Sequence, residues 1–274
     1  MKLARRPTIG VFDSGFGGLT VLKALLQAIP GADYAYFGDT ARLPYGSKSV
    51  ETVARYAVEA AHFLESQGAQ MLVIACNTAT ALALDRIIAS AHVPVVGVVE
   101  PGAEAAASAT KNRKIVVIGT DATVSSHAYR KALETRDLEA KEKACPLLVP
   151  LVEEGWVDHT VTEQVARIYL AEAFAGSFHD ADTLVLACTH YPLLLPLLRR
   201  AAPEHVRIVD SAESTAHSVA SQLRKLVPAN SDEERRSVAR LKFFATDSTE
   251  KFQRLGQRFL GRAIESVQHV DLKE

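Results

Sequence analysis

The segments Leu72–Thr78 (LVIACNT) and Leu184–His190 (LVLACTH) repeat one pattern, an apolar run that ends in alanine and cysteine and passes into polar residues. A second pair, Ile9–Gly15 (IGVFDSG) and Val116–Ala122 (VVIGTDA), precedes them in the same order. Continuous apolar runs of this length are typical of strands that are buried on both faces of a parallel sheet. The repetition predicts two similar α/β halves, each with a cysteine loop at the end of a strand.

Strands and amphipathic helices alternate along the rest of the chain. The apolar runs predict strands at Thr8–Phe12, Tyr34–Gly38, Met71–Ala75, Val93–Val99, Lys114–Gly119, Leu147–Leu151, Thr183–Ala187, Val206–Val209 and Leu241–Ala245. Helical spacing of apolar residues predicts helices at Gly18–Ile29, Val50–Gln67, Thr160–Ala175, Ser214–Leu226 and Ser248–Leu260. Asp247 is the predicted N-cap of the last helix, and the polar segment Pro228–Ser237 is predicted to be an exposed connection. Such alternation predicts parallel sheets whose ligands bind beyond the carboxyl ends of the strands.

The composition excludes several classes of protein. Of the 274 residues, 48% are hydrophobic and 23% are charged, as in an ordinary globular protein, and the net charge of −1 argues against a nucleic-acid binder. No apolar stretch approaches the roughly 18 residues that a membrane span needs, and no apolar run follows the charged segment Met1–Arg6 as it would in a signal peptide. Three cysteines do not make a disulfide framework, so we expect a cytoplasmic protein with free thiols.

Cys76 and Cys188 are the candidate reactive residues. A thiol at a strand-to-helix turn lies near the positive end of the helix dipole, which favours the thiolate. Asn77, Thr78 and Thr189 follow these cysteines and can donate hydrogen bonds to a carboxylate. A single cysteine in this position would more simply be a small buried hydrophobic residue, but two in matching polar turns favour chemistry.

The third cysteine and the neighbouring polar residues refine this assignment. Cys145 is followed directly by proline and is predicted to be structural, and no Cys-x-x-Cys spacing indicates a metal site. Asp13 precedes a glycine-rich turn that lets the backbone approach a ligand, although an aspartate there could also be a plain helix cap. His190 lies two residues after Cys188 and could orient or deprotonate its thiol.

Paired thiols suit the inversion of a stereocentre by proton transfer. That reaction needs a base on one face of the carbon and an acid on the other, and each group must serve in both roles because the reaction is reversible. A thiol with a pKa near ~8.5 can do so when its environment adjusts it. No sequence feature indicates a pyridoxal lysine, so no cofactor is expected.

The chain resembles the glutamate racemases of the aspartate/glutamate racemase superfamily along nearly its whole length. The phrases that carry the resemblance are Ile9–Leu19 (IGVFDSGFGGL), Tyr36–Tyr45 (YFGDTARLPY) with Gly46, Val73–Thr78 (VIACNT), Pro94–Pro101 (PVVGVVEP), Ile118–Thr123 (IGTDAT), Cys145–Gly155 (CPLLVPLVEEG), Leu186–Pro192 (LACTHYP) and Val209–Ser211 (VDS).

The resemblance implies a role for each site residue. The thiolate that matches Cys76 would take the proton from D-glutamate with the help of Asp13, and the one that matches Cys188 would take it from L-glutamate with the help of His190. Substrate-binding or other site positions are matched by Ser14, Asp39, Tyr45, Gly46, Asn77, Thr78, Thr120, Thr123, Glu153 and Thr189. Glu154 competes with Glu153 because the two are adjacent.

The resemblance also implies two pseudo-symmetric parallel-sheet α/β domains with the active site in the cleft between them. We expect residues 1–98 and 212–274 to form the first domain and residues 99–211 the second. A bacterial, cytoplasmic homodimer that supplies D-glutamate for peptidoglycan is implied, with no nucleic-acid or membrane partner. The first strand begins too early for the N-terminal extension that some relatives carry.

Three other functions remain open at this stage. A sister racemase for aspartate or hydantoins would use the same cysteine pair with a different pocket shape. An amino-acid-binding protein without activity would not need both thiols and their helpers. A dithiol redox protein would form a Cys76–Cys188 disulfide when oxidised.

Overall fold

The computed structural model describes residues 6–226 and 238–272, whose strands form two sheets. The strands are β1 Thr8–Asp13, β2 Asp33–Gly38, β3 Met71–Ile74, β4 Val95–Gly97, β5 Lys114–Gly119, β6 Glu139–Ala144, β7 Thr183–Ala187, β8 Arg207–Asp210, β9 Leu241–Ala245 and β10 Gln268–His269. The larger sheet has the order β10-β9-β2-β1-β3-β4 and the smaller one β6-β5-β7-β8. All the pairings in both are parallel, as predicted.

Helices connect the strands and cover the sheets. They are α1 Leu19–Ala28, α2 Val50–Ser66, α3 Asn77–Ser90, α4 Val99–Ala109, α5 Asp121–Ser126, α6 Ala128–Glu134, α7 Leu148–Glu153, α8 Thr160–Ala173, α9 Leu195–Ala201, α10 Ala212–Leu226 and α11 Thr249–Leu260. Short 3₁₀ turns lie at Thr40–Arg42, Tyr45–Ser47, Gly176–Phe178 and Tyr191–Leu194. No helix in the described part of the chain is long and apolar enough to cross a membrane.

The two sheets share one topology. Four strands of the larger sheet have the order β2-β1-β3-β4, and the smaller sheet repeats it as β6-β5-β7-β8. The first strand of each half pairs with the third, so that Ile9 of β1 lies beside Met71 and Ile115 of β5 lies beside Thr183. The predicted pseudo-symmetric α/β architecture is therefore confirmed.

Alternation of side chains along the strands places apolar residues on both faces of each sheet. Val11 of β1 and Val116 of β5 belong to one apolar cluster that spans both sheets. Phe12 packs in a second cluster with α2 and α3, and Val117 packs in a third with α4 and α6. This division of strands supports our proposal that residues 1–98 and 212–274 form one domain and residues 99–211 the other.

Some of the predicted elements are wrong. The segment predicted as a strand at Leu147–Leu151 lies in helix α7, because a five-residue apolar run cannot by itself distinguish a strand from a buried helix. The edge strand of the smaller sheet is instead β6, which comes earlier in the chain and whose charged sequence EAKEKA suits an edge position. Asp247 is not an N-cap, because Ser248 occupies that position before α11 and the Asp247 carboxylate accepts from the backbone N–H of Ser248 instead of from the first turn of the helix. The predicted connection Pro228–Ser237 lies outside the described residues.

Candidate active site

A cavity of about 320 Å³ lies where the loops after β1, β3, β5 and β7 converge, at the carboxyl ends of both sheets. Ten of the sequence-predicted site residues line it, namely Ser14, Tyr45, Gly46, Cys76, Asn77, Thr78, Thr120, Cys188, Thr189 and His190. The other four, Asp13, Asp39, Thr123 and Glu153, do not line the cavity. The first three each form a hydrogen bond with a lining residue, and Glu153 forms an ion pair with the lining residue His190. The topology thus brings both cysteines to one small cleft.

Cys76 joins the end of β3 to the start of α3. Its sulfur accepts from the backbone N–H of Ala79 at 3.4 Å, as an N-cap does, and the thiol donates to Ser14 Oγ at 3.5 Å. Burial, followed by the negative charge of Asp13, raises the pKa of the Cys76 thiol to about 12. The expected stabilisation of the thiolate by the helix terminus is therefore outweighed, and in the free protein Cys76 keeps its proton at neutral pH.

Asp13 is a fully buried carboxylate at the end of β1. It accepts from the backbone N–H of Gly15 at 2.9 Å and from Thr189 Oγ1 at 3.3 Å, so it links the loops of the two halves. Gly18, and not Asp13, is the N-cap residue of α1, but the backbone N–H of Gly18 also donates to the Asp13 carboxylate, so Asp13 helps to cap the start of this helix as well. Burial raises the pKa of Asp13, and the nearby His190 opposes this effect. Asp13 is thus a buried carboxylate whose charge acts on Cys76.

Cys188 is followed by a short 3₁₀ turn instead of a long helix. Its Sγ lies 3.9 Å from Nδ1 of His190, whose ring is 4% exposed and packs edge-on against Phe16 and Phe259. Burial alone would lower the pKa of His190, but its interactions with Cys188 and Glu153 outweigh burial and raise it to about 10. At neutral pH an imidazolium therefore stands beside the second cysteine.

Glu153, at the end of α7, lies on the other side of the His190 ring. Its Oε1 is 3.3 Å from His190 Nε2, although the angle is not that of a hydrogen bond, and Nε2 has no other partner among the described residues. Glu154 instead lines an apolar surface depression with Trp156. Glu153 and not Glu154 is the acid near the site, and it faces the imidazole and not the cavity.

Tyr45 and Gly46 form one wall of the cavity, and Asp39 lies behind them. The Tyr45 hydroxyl donates to Asp39 Oδ2 at 2.5 Å, and Thr246 Oγ1 donates to the other carboxylate oxygen at 2.9 Å. Burial raises the pKa of Asp39. This fully buried carboxylate fixes the ring of Tyr45 and does not reach the cavity itself.

Three threonine hydroxyls from the two halves form a triangle at another wall. Thr78 Oγ1 lies 2.9 Å from Thr120 Oγ1 and 3.2 Å from Thr123 Oγ1, and the last two are 2.9 Å apart. Thr120 is also the N-cap of α5. Thr78 and Thr120 line the cavity, and with the amino terminus of α3 they offer it donors that suit a carboxylate, while Thr123 holds both hydroxyls from behind.

The cavity has further lining residues that the sequence does not single out, most of them apolar: Leu43, Pro44, Ser47, Asp121, Pro146, Val149 and Pro150. All of them except Ser47 lie within phrases of the resemblance, which therefore could have indicated them. The predicted strand at Leu147–Leu151 conceals the position of Val149 and Pro150, because both residues lie in helix α7. No group of three or more His, Cys, Asp or Glu side chains in residues 6–226 and 238–272 could hold a metal ion.

Comparisons with known proteins agree with this geometry. Residues 9–219 match the model of the family described as Asp/Glu/Hydantoin racemase. The chain is 57% identical to a glutamate racemase of Koribacter versatilis, over 98% of both chains. It superimposes on the glutamate racemase of Francisella tularensis in complex with D-glutamate with a TM-score of 0.87 and 33% identity, and on that of Thermus thermophilus in complex with beta-chloro-D-alanine with a TM-score of 0.86 and 45% identity. Both superpositions cover 97% of this chain and 98% of the other.

Proposed function

The chain belongs to the Asp/Glu/Hydantoin racemase family and is an amino-acid racemase acting on glutamate, and we propose that it inverts the Cα stereocentre with its two cavity cysteines and without a cofactor. The observation that carries the mechanism is that Cys76 and Cys188, one from each half of the repeat, line the same cavity. A volume of about 320 Å³ is at the small end of ligand pockets, which span ~300–1,000 Å³. The proposal requires a small amino acid held there to have one thiol on each side of its Cα.

The groups beside the two thiols support a different starting role for each thiol in this proposal. Cys76 is protonated and can donate, whereas Cys188 stands beside the protonated His190. For L-glutamate, the Cys188 thiolate takes the Cα proton and Cys76 returns its own proton to the opposite face. For D-glutamate the roles reverse: Asp13, with its raised pKa, accepts the proton that Cys76 must first lose, and the His190 imidazolium supplies the proton that Cys188 delivers to Cα. Each direction moves one proton onto and one proton off the same carbon.

Neutral donors bind the carboxylates of the substrate. The described residues that line the cavity include no lysine or arginine. Ser14, Asn77, Thr78, Thr189 and the backbone of Gly46 are the proposed donors, with the hydroxyls of Thr120 and Thr123 completing the threonine triangle. Fixed dipoles in a site shielded from water stabilise the developing charge at Cα without reorganising.

Replacement of each cysteine in turn tests the two-base mechanism. Cys76→Ala and Cys188→Ala should each abolish racemisation in both directions, measured by chiral chromatography without added cofactor. Cys145→Ala is the matched control, because this thiol is fully buried and does not line the cavity, and it should retain activity. Near wild-type turnover in either of the first two variants, or a comparable loss in the control, would contradict the assignment.

Isotope incorporation in heavy water provides an independent measurement. Because a different base serves each face, deuterium should appear first in the inverted product and only later in the remaining substrate. Equal labelling of both enantiomers from the start would indicate a single base.

The same assay with L-aspartate and with a hydantoin separates glutamate racemisation from the sister activities, and absence of turnover with all three would leave only amino-acid binding. The cysteines are free in the structure, and a Cys76–Cys188 disulfide in oxidised protein would favour the dithiol alternative. The resemblance further supports the proposal of a cytoplasmic bacterial homodimer that provides D-glutamate for peptidoglycan. Light scattering tests the dimer, and rescue of a D-glutamate auxotroph tests the cellular role.

A further inference from the structure

Tyr129 connects helix α6 of the second half to the start of α3 in the first half. Its ring is fully buried, and its hydroxyl donates to Oδ1 of Asn77 at 2.7 Å. Asn77 follows Cys76 directly and lines the cavity, whereas Tyr129 does not. This tyrosine therefore contacts the side chain of a proposed substrate-binding residue from behind.

The bond determines which end of the Asn77 amide faces the cavity. A primary amide has an acceptor oxygen on one side and an NH₂ group with two donors on the other. Because Oδ1 is occupied by the Tyr129 hydroxyl, the NH₂ group is directed away from α6, and none of the described residues accepts from it. Two N–H donors next to Cys76 are thus left for a carboxylate.

The surroundings of Tyr129 hold its hydroxyl close to Asn77. Burial raises the pKa of Tyr129, so the phenol keeps its proton, and a hydrogen bond with Ser211 partly opposes the shift. Gly102 of α4 leaves room for the hydroxyl, because a Cβ at that position would lie 2.8 Å from Tyr129 Oη. Ser211 and Gly102 thus hold the phenol where it can donate to Asn77.

We propose that Tyr129 is a positioning residue, which fixes the Asn77 amide so that its NH₂ group binds a carboxylate of the substrate. It acts only through Asn77 and does not touch the substrate. The inference rests on the proposed function, since it requires Asn77 to bind glutamate. It also makes substrate binding depend on contact between the two halves, because Tyr129 and Asn77 belong to different ones.

Tyr129→Phe removes the hydroxyl and keeps the ring. The amide of Asn77 can then rotate, and the loss of one well-placed hydrogen bond to a charged group should raise KM about tenfold for both enantiomers. The value of kcat should stay within about twofold, since neither cysteine is touched. Tyr34→Phe is the matched control, because within residues 6–226 and 238–272 that buried hydroxyl donates only to the backbone carbonyls of Leu25 and Ile29; this variant should leave KM unchanged.

A double-mutant cycle shows whether Tyr129 acts through Asn77. In an Asn77→Ala background, Tyr129→Phe should change KM by less than about twofold, because its only route to the substrate is already gone. Equal effects of Tyr129→Phe with and without Asn77 would overturn the proposal, and so would an unchanged KM in the single variant. Wild-type protein that fails to racemise glutamate would instead refute the proposed function.

Gly102→Ala provides a second route if Tyr129→Phe does not fold. Its methyl group displaces the Tyr129 hydroxyl without removing it, and the same rise in KM at nearly constant kcat is expected. An unchanged KM in a folded Gly102→Ala protein would also overturn the proposal.

Discussion

The protonated state of Cys76 leads to a quantitative prediction about its reactivity. A pKa of about 12 leaves about one thiol in ten thousand ionised at pH 8, whereas an ordinary cysteine with a pKa of ~8.5 is about one quarter ionised. The more basic thiolate is the stronger nucleophile, which recovers a factor of about 25 to 60. Alkylation of Cys76 by iodoacetamide at pH 8 in the free protein should thus be about 40- to 100-fold slower than that of glutathione.

The pH profile separates ionisation from access to the cavity. Cys76 is 5% exposed, and restricted access would slow alkylation by the same factor at every pH. A raised pKa instead makes the rate increase about tenfold per pH unit up to pH ~10 without a plateau. The rate at Cys76 is read by peptide mass spectrometry, which distinguishes the three cysteines, and circular dichroism confirms that the protein stays folded. A plateau with a midpoint at or below pH 9 would refute the reasoning.

Asp13→Asn tests whether the charge of Asp13 contributes to the raised pKa of Cys76. The carboxylate of Asp13 is the second contribution that raises the pKa of Cys76, after burial. Its neutralisation should lower that pKa and accelerate alkylation, while racemisation slows because the proton acceptor is lost. Slower alkylation in this variant would show that Asp13 favours the thiolate in the free protein, against the geometry described above.

Two further predictions concern the second half of the site. Gly17→Ala places a methyl group against Thr189 and 2.8 Å from His190 Nδ1, so kcat should fall by about 100-fold because His190 moves away from Cys188. Gly10→Ala is the control, because it makes a similar clash in the core, at 2.9 Å from a Leu72 methyl, and should lower Tm without this loss of kcat. Equal kcat values in the two variants would contradict the prediction. Glu153→Gln should destabilise the protein by about 1 kcal/mol at pH 6, measured by urea unfolding. The raised pKa of His190 stabilises the fold fully below pH ~6.5, and this stabilisation is lost as the pH rises through about 10. The difference in unfolding free energy between wild type and Glu153→Gln should therefore vanish above pH 10. A difference that stays constant with pH would contradict its origin in His190.

Most of the fold follows from periodicity, and the errors have physical causes. Strands such as Lys114–Gly119 and Thr183–Ala187 are buried on both faces, so their apolar runs give the bounds without error. The edge strand Glu139–Ala144 has one ladder partner and half-exposed charged residues, so its sequence carries no apolar signal. Tertiary position, and not local propensity, makes this segment a strand.

The sequence predicts which loops form the site, but not how their side chains are arranged. Residues such as Cys76 and Cys188 follow parallel strands, whose carboxyl ends meet at one edge, and the duplication implies two such edges. Sequence alone does not reveal that Asp39 and Glu153 lie behind Tyr45 and His190, because that depends on side-chain packing. It also does not reveal the protonation of Cys76, since burial, which outweighs the helix dipole there, is known only from the fold.

The duplicated halves are chemically unequal, and the inequality is what the reaction requires. A racemase needs one acid and one base in the resting site, yet two identical cysteine loops would give both thiols the same charge state. The first half places the carboxylate of Asp13 near its sulfur, and the second half places the His190 imidazolium there. A negative neighbour favours the thiol and a positive neighbour favours the thiolate. In the proposed mechanism, these unequal neighbours are what allow a scaffold of two similar halves both to remove and to supply a proton at one carbon.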